Sequence, residues 1–74
     1  MKTYRFLNEY ANYILNERIT KLPKNDRAYY TNETKNAVFR ARRGLITLNE
    51  TMRQLCRIES AVNDAVNYGI YENV

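Results

Sequence analysis

Placed at about 100° per residue, the apolar side chains of this sequence gather into three stripes, which predicts three amphipathic helices. In the first segment, about residues 3–22, Tyr4, Leu7, Ala11, Ile14, Leu15, Ile19 and Leu22 share one side. Arg5, Asn8, Glu9, Asn12 and Asn16 occupy the other. Pro23 ends the segment, because the residue before a proline is pushed out of the helical region. The second segment, about 27–43, carries a stripe of mostly small residues, Tyr30, Thr34, Ala37, Val38 and Ala41. Small residues bury little area but let helices approach closely. Asn25 or Asp26 is the expected cap at its start. The third segment, about 48–68, has the most regular stripe: Leu48, Met52, Leu55, Ile58, Val62, Ala65 and Val66. Thr47 and Glu50 stand at capping-box spacing before it. Gly69 is the expected stop, with residues 69–74 as a tail.

Two short connections, near "LPKND" and near "GLIT", make neighbouring helices antiparallel. The expected fold is all-α, a three-helix bundle or an open three-helix array, in a single helical domain of 1–74. Seventy-four residues leave that domain little core. A chain this short buries roughly 60% of the surface it exposes when unfolded. No covalent staple relieves this, since Cys56 is the only cysteine and there is no histidine to help form a zinc site.

The first stripe is wider than a small bundle requires. Phe6, Tyr10 and Tyr13 extend it along one flank, whereas an ordinary surface helix buries an arc of little more than about 100°. Tyrosine offers large contact area with a polar tip, which suits interfaces. Seven tyrosines and two phenylalanines are more rings than so small a domain can hide. The flank is therefore the first candidate for docking a protein partner or a second copy in a homodimer.

Charge adds a second candidate. Residues 1–23 carry net +2, residues 24–46 net +4 and residues 47–74 net −2. The basic peak is Arg40, Arg42 and Arg43, followed by Gly44. Structural punctuation explains this motif: cations in a helix's last turn oppose its negative end, and glycine supplies the left-handed stop. The functional alternative is steering toward an acidic partner or nucleic acid. Residues 37–57 also have the order helix, glycine turn, helix of a helix-turn-helix. Asn49, Arg53 and Arg57 follow at four-residue spacing on one outward face, and they are residue types that read purine edges. The motif departs from the usual pattern, with Arg40 where a small residue normally precedes the glycine by four, and with Glu50 and Asp64 beside the reading face.

Two charged residues interrupt the stripes, Arg18 in the first and Glu59 in the third. They are expected either to pair across a parallel seam or to reach solvent at the stripe edges. Little points to catalysis. Histidine is absent, there is no glycine-rich phosphate loop, and Cys56 beside the third stripe is expected to be a small packed side chain. No cofactor, metal or small-molecule substrate is expected. Lys2 and Arg5 precede no apolar run, and no segment reaches about 18 apolar residues, so neither an export signal nor a membrane span is expected. The default location is the cytoplasm. Abundant asparagine, tyrosine, isoleucine and lysine or arginine, with scarce glycine, proline and tryptophan, suit an AT-rich coding sequence, such as that of a low-GC bacterium or its phage. The sequence thus reads as a small non-enzymatic binding protein, a phage- or mobile-element-type modulator or inhibitor of a larger protein or protein–nucleic-acid complex. The alternative is a small DNA-binding transcriptional regulator.

Overall fold

The computed structural model describes the backbone of residues 2–72 and the side chains of residues 5–68. Three helices run in chain order. The first, α1, spans Lys2–Tyr13 and continues through a π-helical turn, Ile14–Arg18, and a 3-10 turn, Ile19–Lys21. α2 spans Lys24–Arg42 and α3 spans Leu48–Glu72. There is no strand among the described residues. The fold is the expected all-α three-helix array, drawn out to 45 × 18 × 17 Å.

Side-chain pairings give the directions. Asn8 of α1 meets Arg42 near the end of α2, so these helices are antiparallel. Tyr10 meets Cys56 and Glu59 while Arg18 meets Asn63, so the first segment and α3 are parallel. Arg40 shares a recess with Gln54 and Arg57, and Tyr29 and Tyr30 share one with Ile58 and Ala61. α2 and α3 therefore run back along each other as an antiparallel hairpin.

The core consists of Leu7, Ala11, Ile14, Ile19 and Leu22 from the first segment, Ala37 and Ala41 from α2, and Leu55 and Val62 from α3. The π turn explains how the first segment delivers its share. Leu7, Ala11 and Ile14 follow ordinary helical spacing, but Ile19 lies five residues beyond Ile14. In a straight α-helix these two would point about 140° apart. Here the Ile19 N–H bonds to the Ile14 carbonyl, which brings residues five apart onto one face. The 3-10 turn then aligns Ile19 with Leu22, since residues three apart eclipse in that geometry.

This rotation also resolves the two charged interruptions, in a way that differs from both expectations. Arg18 does not pair with Glu59. Its guanidinium donates through Nε (2.8 Å) and Nη2 to Oδ1 of Asn63. Glu59 instead accepts the hydroxyl proton of Tyr10. Both charges are half-buried and partnered by neutral groups.

Two boundaries differ from the expected ones. α2 begins at Lys24, with Pro23 rather than Asn25 or Asp26 at its cap and no side-chain capping bond. Proline's fixed φ of −57° suits the entry, the Pro23 carbonyl accepts the Arg27 N–H, and Asp26 in the first turn opposes the positive end of the helix dipole. α3 does not stop at Gly69 but continues to Glu72; Gly69 has no positive φ, and the stop signal is overridden. Residues 73 and 74 of the expected tail lie outside the described residues. Thr34 and Thr51 are fully buried, and each hydroxyl donates to the carbonyl four residues back, at 2.8 Å. Thr34 was on the expected stripe; Thr51 was not.

The central turn follows the expected pattern. Gly44 has φ +73°, the Leu45 N–H bonds to the Arg40 carbonyl, and the Gly44 N–H bonds to the Ala41 carbonyl. These are the two bonds of a Schellman stop. Thr47 then caps α3 by accepting the Glu50 N–H at 3.1 Å. A methyl group added at Gly44 meets nothing within 4 Å, so only backbone conformation opposes it. Gly44→Ala is expected to cost about 1–2 kcal/mol, read as a lower urea midpoint at unchanged slope.

A candidate protein-interaction surface

The flank of α1 forms because Phe6 and Tyr13 are seven residues, about two turns, apart and so point within about 20° of each other. Tyr10 lies between them, turned further toward α3. The structure separates their roles. Phe6 is 57% exposed and Tyr13 44%, whereas Tyr10 is half-buried and packed against the core. The Tyr10 hydroxyl donates to the Glu59 carboxylate and lies 3.6 Å from Cys56 Sγ. With one proton to give, the hydroxyl directs it to the charged acceptor, leaving its oxygen for the thiol. Burial first, and then the bond to Glu59, raise the Tyr10 pKa above its ordinary value of 10.0. Tyr10 is thus a seam residue rather than a free anchor. Its ring braces Phe6, whose centroid is 6.4 Å away. Cys56 is exposed at this seam rather than packed away as expected.

The three arginines diverge. Arg40 and Arg42, two residues apart, point about 200° apart around the helix. Arg40 donates from Nε to the Asn36 carbonyl (3.3 Å) and faces α3, where it lines a recess with Arg57 and Glu33. Arg42 faces α1 and donates to Asn8 Oδ1 at 3.3 Å. Arg43 lies over the Phe39 ring, 5.0 Å from its centroid, a cation–π contact. Each side chain therefore has a local task at the end of α2. Asn49, Arg53 and Arg57 are all exposed on α3. Of the six residues in the nucleic-acid alternative, Arg40 and Arg57 line a common recess.

One surface element was missed by the sequence reading. Phe39 is 55% exposed and, with Lys35 and Arg42, rims a groove of about 300 Å³ between α1 and α2. The available signal was a phenylalanine standing off the Tyr30–Ala41 stripe, on an otherwise polar face.

No group of three or more histidine, cysteine, aspartate or glutamate side chains that could hold a metal ion occurs among the described residues. No described helix is long and apolar enough to cross a membrane. Comparison with protein-family models, curated proteins and solved structures finds no match. The fold and its surfaces define a three-helix, all-α protein with aromatic side chains displayed beside its seams.

Proposed function

We propose that this chain is a small non-enzymatic binding protein that docks through Phe6 and Tyr13 onto a larger protein, or onto a second copy of itself, and modulates what it covers. The observation that supports this is the pair of exposed rings on one flank of α1, held by a Tyr10 whose own hydroxyl is tied to Glu59. Two rings fixed on a helix lose little freedom on binding, which suits them as anchors. A modulator or inhibitor of phage or mobile-element type would act by covering the partner's surface. The arginines at the end of α2 add steering toward an acidic partner.

The duplex-binding alternative has less support. α2 and α3 lie alongside each other rather than crossed, and the arginines of the turn face different sides.

The test is the double variant Phe6→Ala/Tyr13→Ala. Both rings are largely exposed, so stability should change by about 1 kcal/mol or less. Self-association in sedimentation, or capture of partners by the immobilised chain, should weaken by about 30-fold or more, as for paired hot-spot residues. Moderate salt should leave that binding nearly unchanged, whereas phosphate-driven binding would fall steeply. A strictly monomeric chain whose double variant keeps every partner would refute the proposal.

A further inference from the structure

We infer that the groove between α1 and α2 is a second docking site, independent of the Phe6–Tyr13 flank, and that its occupant is an acidic amphipathic helix of a partner protein. The floor is apolar, with Ala11, Leu15 and Val38. The rim carries Lys35, Phe39 and Arg42, all exposed. No carboxylate lines it. Glu9 on the nearby polar face of α1 is held by Arg5 through its Nε at 3.2 Å, and Lys35 has no ion-pair partner among the described residues. Arg42 spends one N–H on the neutral Asn8 amide and keeps donors to spare. Arg43 over Phe39 adds a third cation beside the rim. Asn8, Asn12 and Thr34 add neutral polar groups, so the only charges that line this apolar trough are the cations Lys35 and Arg42, which is complementary to an apolar stripe flanked by carboxylates.

The geometry selects a helix. The wall from α2 runs from Lys35 to Arg42 and the wall from α1 from Asn8 to Leu15, each two turns or about 10 Å long. Both walls repeat at three- and four-residue spacing, so the trough between them accepts the side-chain ridge of a further helix. At about 300 Å³ and open along its length, it is at the lower limit for an enclosed small-molecule pocket, roughly 300–1,000 Å³. A helix laid there would turn the three-helix array into a four-helix one. Carboxylates about two turns apart on it would meet Lys35 and Arg42.

The experiment titrates the full-length, isotope-labelled chain with a blocked helical peptide of about four turns, carrying leucines on one stripe and glutamates beside it. A matched peptide with lysine for glutamate is the control. The glutamate peptide is expected to shift amide signals of residues 8–15 and 34–42 and to bind at least about tenfold more tightly than the lysine peptide. Lys35→Glu should weaken it by about tenfold. Phe39→Ala should also weaken it, and both positions are exposed enough to leave the fold intact. The Phe6→Ala/Tyr13→Ala variant should bind the peptide as the parent does, so failure of this inference and failure of the flank proposal are separable. The inference is overturned if both peptides bind alike, if no groove amide shifts at millimolar peptide, or if shifts fall on α3. It is also overturned if groove amides respond to the chain's own concentration, which identifies a second copy as occupant, or if duplex DNA shifts them more strongly than the peptide.

Discussion

Leu55→Ala is expected to remove a large part of this protein's stability. Leu55 is fully buried on the face of α3 that meets both other helices. Removing a buried leucine side chain beyond its β-carbon costs about 2–5 kcal/mol, more where the surroundings cannot close on the space. Here they can close only poorly. α2 presents Ala37, Ala41 and Thr34 to the core, none with a long side chain that could swing into a void. A domain of this length has roughly 4–11 kcal/mol in total, so the variant should be marginal at room temperature. Urea titration followed by helical circular dichroism measures the effect. Leu45→Ala is the internal control, since Leu45 is 67% exposed in the turn and its loss should cost within about 0.5 kcal/mol. Equal midpoints for the two variants would show that the core is not where these residues place it.

The same core shows which features of the fold can be read from residue types. α3 could be read directly because Leu55 and Val62 lie on an unbroken helical stripe, and because Thr47 and Gly44 are local signals acting through neighbouring backbone groups. Gly69 carried the same kind of signal, yet the helix continues through it. Glycine permits a stop without requiring one. The start of α2 was misplaced because Asn25 and Asp26 resemble caps, whereas Pro23 had already set the entry three residues earlier than the expected start. The π turn was not foreseen, although the five-residue step from Ile14 to Ile19 is its trace. Reading both residues into one stripe concealed a change of helical pitch.

The surface was less readable, for a related reason. A wheel shows that Phe6, Tyr10 and Tyr13 share a flank, but not which of them a neighbour will claim. Glu59 claims Tyr10 because the two helices are parallel and bring positions 10 and 59 to the same level. Likewise the arginines are close in sequence, but a spacing of two residues sends Arg40 and Arg42 to opposite neighbours. Phe39 escaped attention because it lies on a face that is polar in sequence and becomes a groove rim only when α1 is placed beside it.

The Tyr10–Glu59 contact should show both in stability and in alkaline titration. Tyr10→Phe leaves the half-buried Glu59 carboxylate without its donor. The cost is expected at the lower end of the roughly 1.5–3 kcal/mol associated with hydrogen bonds to charged groups, because water reaches the seam. Replacing both residues, Tyr10→Phe with Glu59→Leu, removes the stranded charge and should recover part of the loss, a coupling of about 1 kcal/mol. Additive losses would mean that the contact contributes nothing. The pH dependence has a definite sign. The tyrosine's folded pKa lies above its ordinary value of 10.0, because burial and the Glu59 bond both favour the neutral phenol. The folded state therefore holds this proton more tightly than the unfolded state. The contact's contribution is complete below pH 10 and is lost as pH climbs toward the raised folded value. Tyrosinate absorbance should accordingly include a late-ionising component from Tyr10, together with loss of helical signal. In Tyr10→Phe that late component should be missing. Because the ring that carries this hydroxyl is the brace beside Phe6, the same high pH should also release the exposed flank. Partner binding through Phe6 and Tyr13 is then expected to weaken before the bulk of the helix is lost.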